Sequence, residues 1–433
     1  MSTERREPAV DVAGIGFGPS NLSLAIALHE TEGTSARFFE RQAEFGWHRG
    51  MLLEDATMQV SFLKDLVTMR DPASDFSFVS YLTDRGRLAD FINRKTLFPL
   101  RIEFHDYLSW AAARVDDLVS YGSEVVDVRP VEEDGEVHAF DVVAREPDGG
   151  TTVTRATTVV DGCGLTPVVP AGVACSARIW HTSELLGRVD ELAGSDRTPE
   201  RFVVVGAGQS AAEAVDHLYR RFPDAEVCSV FSRFGYSPAD DSPFANRVFD
   251  PGAVDEFHRA PESAKRDILD YHRNTNYSVV DGDLIESLYA AHYQELVEGR
   301  ERLRIMNVSR VTEQVEGEDG VRLHVESSTT LETEVLDCDA VVYATGYRPT
   351  DPVALLGSAG GLVALEDDLP VVERDHGLRL RVPTAGARLF LQGADEHAFG
   401  LTSTLLSTVA VRAGEIAGAI TGAKGPVAAG VGD

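Results

Sequence analysis

The stretch VDVAGIGFGPSNLSLA (residues 10–25) decides the fold class, because it joins a short apolar run to three closely spaced glycines and then to a helical segment. Such a run is typical of a strand buried in a parallel sheet. Gly14, Gly16 and Gly18 would let the backbone approach a pyrophosphate, and a helix starting at Pro19 would point its free amides at it. The pattern predicts a dinucleotide-binding unit of the Rossmann type.

An acidic residue at the end of the following strand supports this interpretation. Glu40 closes the segment ARFFE, 26 residues after Gly14, where a carboxylate binds a ribose hydroxyl in such units. A glycine turn alone is weak evidence, because it is equally compatible with a tight turn that binds nothing. The combination with Glu40 favours nucleotide binding.

The stretch RFVVVGAGQSAAEAV (201–215) repeats the strand, glycine turn and helix, and it places Gly206, Gly208, Gln209 and Ser210 in the turn. No acidic residue stands at the position equivalent to Glu40. Ser232 and Arg233 are found there instead, and an arginine pairs with the 2′-phosphate of NADPH, which an acid would repel. The second unit is therefore predicted to bind NADPH. The alternative is that Arg233 is a solvated loop residue.

Two such units predict an α/β fold with two Rossmann-like lobes, FAD in the first and NADPH in the second. The segments DGCGLTPVVP (161–170) and YATGYRP (343–349) resemble two crossovers between lobes, the second containing Thr345 and Gly346. The expected organisation is a discontinuous FAD domain formed by residues 1–195 and 336–433. An NADPH domain is expected at residues 196–335, and within it a mostly helical substrate-binding insertion at residues 238–300. A single helix is predicted for residues 402–421.

Composition narrows the class of protein. The chain has 433 residues and a net charge of −30, which argues against nucleic acid or an anionic membrane surface as partners. No apolar run is long enough to span a membrane, and the N-terminus lacks the apolar core of a signal peptide, so a cytoplasmic location is expected. The four cysteines form neither a CxxC pair nor a zinc-like spacing, so neither a redox disulfide nor a metal site is predicted.

The segment MQVSFLKDL (58–66) contains one of only four lysines in the chain. Lys64 lies among Phe62, Leu63 and Leu66, although burying an unpaired cation is costly. One interpretation is a lysine whose stem is buried and whose charge reaches solvent. The other is a cation kept for an anionic ligand.

The chain resembles the microbial N-hydroxylating flavin monooxygenases, namely the L-ornithine N5- and L-lysine N6-monooxygenases, over essentially its full length. The residues that carry this resemblance are GIGFGPSNLSLA, WHRGMLLEDATMQVSFLKDLVTMRDPAS, FSFVSYL, GAGQSAAEAV, DDSPFANRVFDP, HRNTNYSVVDGDLIESLY, ATGYRP and EHAFGLTSTLLSTVAVRAGEI. The wording of MQVSFLKDL is closer to the ornithine enzymes. Two departures are Ala398-Phe399, where the family often has Thr-His, and Glu184, where related enzymes can place a lysine near NADPH.

The resemblance implies that NADPH reduces FAD, that the reduced flavin traps O₂ as a C4a-hydroperoxide, and that a neutral side-chain amine attacks the distal oxygen. L-Ornithine is the expected substrate, for siderophore or other specialised-metabolite biosynthesis, and a homo-oligomer such as a tetramer is expected. Alternatives are the same chemistry on L-lysine, another small amino acid or a diamine. An NADPH oxidase or flavin reductase, and a non-catalytic nucleotide-binding protein, are further alternatives.

The resemblance also implies roles for particular residues. Lys64 and Asn246 would bind the amino-acid head group of the substrate, and Asn276 its terminal amine. Asn276, Ser407 and Gln59 are the expected catalytic contacts. Outside the motifs, the two asparagines would be interpreted as caps or turn residues and Ser407 as a hydroxyl bonded to its own helix. The full set of expected cofactor contacts is Gly14, Gly16, Gly18, Pro19, Glu40, Trp47, His48, Met58, Gln59, Gly206, Gly208, Gln209, Ser210, Arg233, Thr345 and Gly346.

Overall fold

The architecture is that of a computed structural model, which describes residues 4–194, 197–272 and 278–422. Asn276, one of the predicted substrate contacts, lies outside the described residues. Within them, no helix combines the length and apolar character needed to cross a membrane.

The strands of the described residues are, in chain order, β1 (Glu4–Arg6), β2 (Val10–Ile15), β3 (Ala36–Glu40), β4 (Val119–Tyr121), β5 (Glu124–Glu133), β6 (Glu136–Arg145), β7 (Thr151–Asp161), β8 (Leu165–Pro167), β9 (Ile179–His181), β10 (Arg201–Val205), β11 (Glu226–Val230), β12 (Leu303–Met306), β13 (Ser309–Glu316), β14 (Val321–Ser327), β15 (Thr333–Cys338), β16 (Ala340–Tyr343), β17 (Tyr347–Pro349), β18 (Leu365–Glu366), β19 (Leu369–Pro370) and β20 (Arg388–Leu391).

The α-helices of the same residues are α1 (Pro19–His29), α2 (Phe78–Asp84), α3 (Leu88–Arg94), α4 (Arg101–Ala113), α5 (Leu185–Ala193), α6 (Gln209–Arg221), α7 (Pro251–Arg259), α8 (Glu262–Tyr271), α9 (Gly282–Glu298), α10 (Pro352–Leu355), α11 (Glu396–Phe399) and α12 (Val409–Thr421). Short 3₁₀ turns include Arg49–Met51, Thr182–Glu184, Ala245–Phe249, Gly400–Thr404 and Leu406–Thr408.

The first lobe is built on a sheet in the order β4-β3-β2-β7-β6-β5, with β1 and β20 also paired to β7. Strands β2, β3, β4 and β20 run parallel to their neighbours, whereas β5, β6 and β7 form an antiparallel meander. The central parallel strand β2 and the strand β20 are mostly apolar and buried, as covering by helices requires, whereas the edge strand β1 is charged and exposed. Because β20 comes from the C-terminal part of the chain, the first lobe is discontinuous.

The second lobe is built on a parallel sheet in the order β12-β11-β10-β16-β9. The expected domain boundaries at residues 195 and 336 differ from this sheet membership, because β9 (Ile179–His181) lies before the first boundary and β16 (Ala340–Tyr343) lies after the second. Strand β9 is short and was not separable from its surroundings by sequence pattern. The sheets instead place the boundaries at β8 and β17, which pair antiparallel with each other and form the two crossovers.

Residues 49–53 of the first lobe pack directly into the second. Met51 and Leu53 are buried in the apolar core that contains Trp180 and Leu218. At Gly50 the two backbones come so close that an added Cβ would lie 2.0 Å from the carbonyl oxygen of Ser183. The interface between the lobes is therefore a packed apolar contact.

The C-terminal helix begins later than expected. The prediction of one helix over residues 402–421 is wrong for its first part, because residues 400–404 and 406–408 form two 3₁₀ turns separated by the extended residue Leu405. The Ser403 carbonyl accepts a hydrogen bond from Arg412 Nη1 at 2.6 Å and is thereby diverted from helix pairing. The α-helix starts only at Val409.

A partly buried network of charged side chains ties α12 to α7. Arg374 donates to both carboxylate oxygens of Glu415, at 3.0 and 2.8 Å, and to Asp255 on α7 at 2.5 Å. His376 Nε2 lies 3.2 Å from Glu415. Burial alone would raise the pKa of Glu415, but the hydrogen bonds from His376 and Arg374 outweigh it and lower the pKa to about 2.

We expect this carboxylate to contribute to acid sensitivity. Its pKa is below the ordinary value of 4.5, so its contribution is complete above pH 4.5 and is lost as the pH falls toward 2. Glu415→Gln should lower the free energy of unfolding at pH 7 by about 3 kcal/mol, and this deficit should shrink as the pH falls from 4.5 to 3. Urea unfolding at several pH values measures this difference in the free energy of unfolding. The surface variant Glu334→Gln is the control, and a pH-independent deficit in Glu415→Gln would contradict the expectation.

Gly206 combines a backbone angle that favours glycine with a close approach to another segment. Its φ is +146°, and an added Cβ would lie 2.4 Å from the Ala344 carbonyl oxygen. Gly206→Ala therefore combines backbone strain with a backbone clash, each of which costs about 1–3 kcal/mol. Thermal unfolding should show a clear loss of Tm. The matched control is Gly187→Ala in α5, where nothing lies within 4 Å of an added Cβ and the Tm should hold or rise.

Candidate active site

The first glycine turn has the shape of a phosphate cradle. A Cβ on Gly14 would lie 2.1 Å from the Phe38 ring, and Gly16 has a φ of +78°. Gly18 precedes α1 with open space before it and with no side-chain cap, and Pro19 is the first helical residue. The N-terminal amides of α1 are consequently available to an anion.

Glu40 is held rigidly beside this turn. Its Oε2 accepts from the Phe17 N–H at 2.7 Å and its Oε1 from the Gln42 N–H at 2.9 Å. Each carboxylate oxygen retains acceptor capacity for a ribose hydroxyl. The chemistry of this donor and acceptor set fits the pyrophosphate and ribose of FAD.

The second glycine turn repeats the arrangement. Gly206 passes tightly beside Ala344, and Gly208 precedes α6 without a side-chain cap. Ser210 lies in the first turn of α6. The Gln209 side chain is engaged within the protein, because its Oε1 accepts from the Asp281 N–H at 2.8 Å and its Nε2 donates to Glu213 at 2.9 Å.

Arg233 lies beside the second turn. Its Nη1 donates to the Ser278 carbonyl at 2.8 Å, and a Cβ on Gly208 would lie 3.3 Å from the Ser278 Cα. The other guanidinium donors make no hydrogen bond within the described part of the chain. This set fits a phosphorylated nucleotide such as NADPH.

The crossovers bring both lobes together at Gly346. The carbonyl of Gly346 accepts from His181 Nε2 at 3.0 Å, because the Ser183 N–H donates to His181 Nδ1 and so defines the tautomer. The Thr345 hydroxyl donates to the Val168 carbonyl. The adjacent Tyr347 ring lies 5.0 Å from His181 and 6.2 Å from His48.

Trp47 and His48 line the first-lobe side of this junction. Their rings meet edge to face at 4.5 Å, and His48 has a left-handed backbone with φ +50°. The His48 ring is reached by solvent but surrounded by protein, as expected for a residue lining a cleft. Desolvation, with a further effect of the Arg101 charge, lowers the pKa of His48 to about 4, so that the imidazole is neutral near pH 7.

Met58 and Gln59 begin the lysine segment and differ in environment. Met58 is buried in the first-lobe core, and its N–H donates to the Pro99 carbonyl at 2.9 Å. Gln59 is exposed, and its amide forms no hydrogen bond with the described residues. Of the two, Gln59 is the side chain free to contact a ligand.

Lys64 is half-buried and has no carboxylate within ion-pair distance among the described residues. Its Nζ lies 5.9 Å from the centre of the Phe249 ring. Desolvation lowers the pKa of Lys64, and the charge of Asp250 partly opposes this effect. The structure thus brings Lys64 to the 245–250 segment, which carries Asn246.

The neighbouring Asp65 holds the backbone that carries Lys64. Its carboxylate accepts from the N–H groups of Phe78, Val67 and Thr68 at 2.7, 2.9 and 2.6 Å. The Ser23 hydroxyl, on α1, donates to the Leu66 carbonyl at 2.6 Å. The lysine segment is therefore bound to the helix of the first nucleotide unit.

Asn246 and Ser407 lie on two short turns that both contact the turn 400–404. Asn246 belongs to the turn 245–249, which packs against the turn 400–404, and Ser407 belongs to the next turn, 406–408. Asn246 Nδ2 donates to the Asp241 carbonyl at 2.7 Å, which leaves its oxygen available, and Ser407 is buried. Lys64, Asn246 and Ser407 come from three distant parts of the chain.

The two departures from the family pattern have structural roles. Phe399 stacks on the His258 ring at 5.1 Å and contacts the His376 ring at 4.3 Å, so it packs the buried histidine of the charged network against α7. Glu184 pairs with Arg188, one helical turn away, at 3.0 Å.

Sequence reasoning missed Arg101, Glu213 and Asp65. Arg101 and Glu213 form an ion pair between the lobes, and they are 112 positions apart. Arg101 lies outside the quoted motifs, and Glu213 lies inside GAGQSAAEAV but beyond the glycine turn, where nothing in the pattern marks it as a partner of a distant arginine. Asp65 stands inside a quoted motif, and its position after the unusual Lys64 was the one available signal.

Comparison with known proteins agrees with this geometry. Residues 8–349 match the model of the family described as L-lysine 6-monooxygenase/L-ornithine 5-monooxygenase. An L-ornithine N(5)-monooxygenase of Burkholderia cepacia is 42% identical over 407 residues, which cover 92% of this chain and 91% of that protein.

Two solved structures extend the likeness to the fold. The ornithine N-hydroxylase of Kutzneria sp. 744 (KtzI-FADred-NADP+-L-orn) superposes with a TM-score of 0.91 at 44% identity, covering 96% of this chain and 99% of that one. The ornithine hydroxylase PvdA of Pseudomonas aeruginosa has a TM-score of 0.89 at 34% identity, with coverages of 96% and 99%. The chain therefore belongs to the L-lysine 6-monooxygenase/L-ornithine 5-monooxygenase family.

Proposed function

We propose that this chain is an FAD- and NADPH-dependent L-ornithine N5-monooxygenase. The observation that carries the assignment of an amino-acid substrate is Lys64, a half-buried cation without an ion-pair partner in the described residues, beside the turn that bears Asn246. An amino acid offers the carboxylate that this lysine lacks. A plain diamine does not. The similarity to ornithine hydroxylases at 42% and 44% identity supports ornithine over lysine.

The cofactors supply the redox chemistry: bound NADPH provides a hydride, and FAD, once reduced, activates O₂. The protein's own part is to bind and orient them. The first glycine turn with Glu40 would bind the FAD diphosphate and ribose, and the second with Arg233 the NADPH phosphates. His48, neutral at pH 7, adds no positive charge beside the junction of the lobes.

The site must also deliver a neutral amine. A free alkyl ammonium has a pKa of about 10.4, so the amine must lose its proton through desolvation or to an acceptor. An amide oxygen is a suitable neighbour because, unlike a carboxylate, it does not hold the amine in its charged form. Asn276 is proposed for this position, with Ser407 and Gln59 as further contacts to the amine and to the flavin.

Three wider statements belong to the same proposal. The product would serve siderophore or other specialised-metabolite biosynthesis, the enzyme would act in the cytoplasm, and it would form a homo-oligomer. Membership of the family supports the role in siderophore or other specialised-metabolite biosynthesis. Sedimentation analysis would test the last.

The function is tested by NADPH consumption with and without L-ornithine, alongside colorimetric detection of hydroxylamine. We expect the most hydroxylamine with ornithine, little with L-lysine, and the least or none with putrescine. NADPH consumption that produces only peroxide with every amine would identify an NADPH oxidase instead. If L-lysine proved the better substrate, the N-hydroxylation reaction would stand, but the assignment of ornithine as the substrate would be wrong.

Lys64→Ala should raise the KM for ornithine by about 10- to 100-fold, the range expected for one lost hydrogen-bonded charge. NADPH oxidation without substrate should change little, and Lys64→Arg should recover part of the loss. The control is Lys95→Asn, which preserves the left-handed backbone at an exposed position away from the site. Unchanged ornithine kinetics in Lys64→Ala would show that the lysine is structural.

Arg233→Ala should raise the KM for NADPH by about tenfold or more while leaving that for NADH nearly unchanged, because the two differ in the 2′-phosphate. Initial rates with both nucleotides measure this selectivity. Arg310→Ala, which removes an exposed guanidinium from β13, is the control. If the KM rose equally for NADPH and NADH, Arg233 would have no role in recognising the 2′-phosphate.

A further inference from the structure

One bidentate ion pair joins the two lobes in their buried interface. Arg101 Nη1 and Nη2 donate to the two carboxylate oxygens of Glu213, at 2.8 and 2.7 Å. The side chains are only 11% and 7% exposed, respectively. Among the described residues, no other ion pair joins α4 of the first lobe to α6 of the second.

Each partner is connected to one of the nucleotide units. Arg101 is the first residue of α4 and also donates to the Met51 carbonyl at 2.9 Å, which holds the segment that follows Trp47 and His48. Its charge contributes to the lowered pKa of His48. Arg101 is therefore close to the part of the first lobe predicted to lie along the flavin.

Glu213 lies in the second turn of α6, the helix that starts at the second glycine turn. Its Oε1 accepts from Gln209 Nε2 at 2.9 Å, and Gln209 is the first residue of that helix. Gln209 in turn binds the Asp281 N–H at 2.8 Å, at the start of α9. The carboxylate thus connects Arg101 to the helix end that would bind the NADPH diphosphate.

Stability alone is a poor explanation for this pair. Desolvating two charges cancels most of the attraction between them, and apolar residues of similar size often serve as well. Met51 and Leu53 already join the lobes by apolar packing. A bidentate guanidinium–carboxylate pair does, however, define both a distance and an angle between the groups that carry it.

We propose that Arg101 and Glu213 are positioning residues that set the second nucleotide helix relative to the flavin side of the first lobe. This inference rests on the proposed function. The step concerned is the transfer of a hydride, one proton with two electrons, from NADPH, which becomes NADP⁺, to FAD, which becomes two-electron reduced. A displacement of about 1 Å between donor and acceptor is enough to slow such a step by roughly 100-fold.

The test compares the double variant Arg101→Met/Glu213→Leu with the wild type. Single variants leave one buried charge unpaired and are expected to fold poorly, whereas the double variant replaces the pair with apolar volume. Anaerobic stopped-flow should give a limiting rate of flavin reduction by NADPH that is at least tenfold lower. The Kd for NADP⁺ and the Tm should stay within about twofold and a few degrees of the wild type, because the binding residues all lie within the second lobe.

A second measurement needs no cofactor. Spin labels at the exposed positions Glu132→Cys and Asp224→Cys, one on each lobe, in a Cys175→Ser background, report the distance between the lobes. The cofactor-free protein should give a narrow distance distribution, which the double variant should broaden or shift. The matched control, Arg310→Met/Glu326→Leu, removes a partly exposed ion pair between the neighbouring strands β13 and β14 and should change neither the rate nor the distance.

The two proposals fail in different ways. A folded double variant with the wild-type reduction rate and the wild-type distance distribution would overturn the positioning role. A wild-type flavin that NADPH does not reduce would overturn the proposed function, and the spin-label distances would still decide whether the pair positions the lobes.

Discussion

The packing of residues 49–53 into the second lobe is the contact on which both nucleotide units depend. Gly50 approaches the Ser183 backbone too closely for any side chain, and Met51 and Leu53 belong to the second lobe's core. The contact lies directly after Trp47 and His48 and directly before the segment of Lys64. The same stretch therefore joins the lobes and connects the segments proposed to contact the flavin and the substrate.

Local features have to bind the anionic cofactors because the overall field opposes them. A chain with a net charge of −30 repels phosphates at long range. The glycine turns offer backbone amides at the ends of α1 and α6, and Arg233 offers a guanidinium. At short range, in partly desolvated surroundings, such groups outweigh distant charges that are screened by salt. Lys64 would bind a carboxylate in the same way, because a partly desolvated cation attracts a nearby anion more strongly than one in water does.

Long-range contacts account for what pattern reasoning could not supply. The two strand, glycine-turn and helix units and the helices between residues 251 and 298 were predictable, because strand length, glycine spacing and apolar periodicity are local properties. The boundary at 195 was wrong because β9, a three-residue strand, joins the second sheet only through pairing with β16. The start of α12 was misplaced because Arg412 captures the Ser403 carbonyl, which no helical periodicity reveals. Gln209 stands in the predicted turn, yet its side chain is used for Glu213 and Asp281.

The sequence by itself determined the fold class, the two nucleotide units, the family resemblance and the unusual character of Lys64. These follow from spacing along the chain and from residue type, and both are readable without coordinates. Only the tertiary structure decided which distant groups meet: Lys64 with the turn of Asn246, Glu415 with Arg374 and His376, and Arg101 with Glu213. Such meetings depend on how two sheets pack and cross over, and a buried charge is recognisable as paired or unpaired only when its surroundings in space are known.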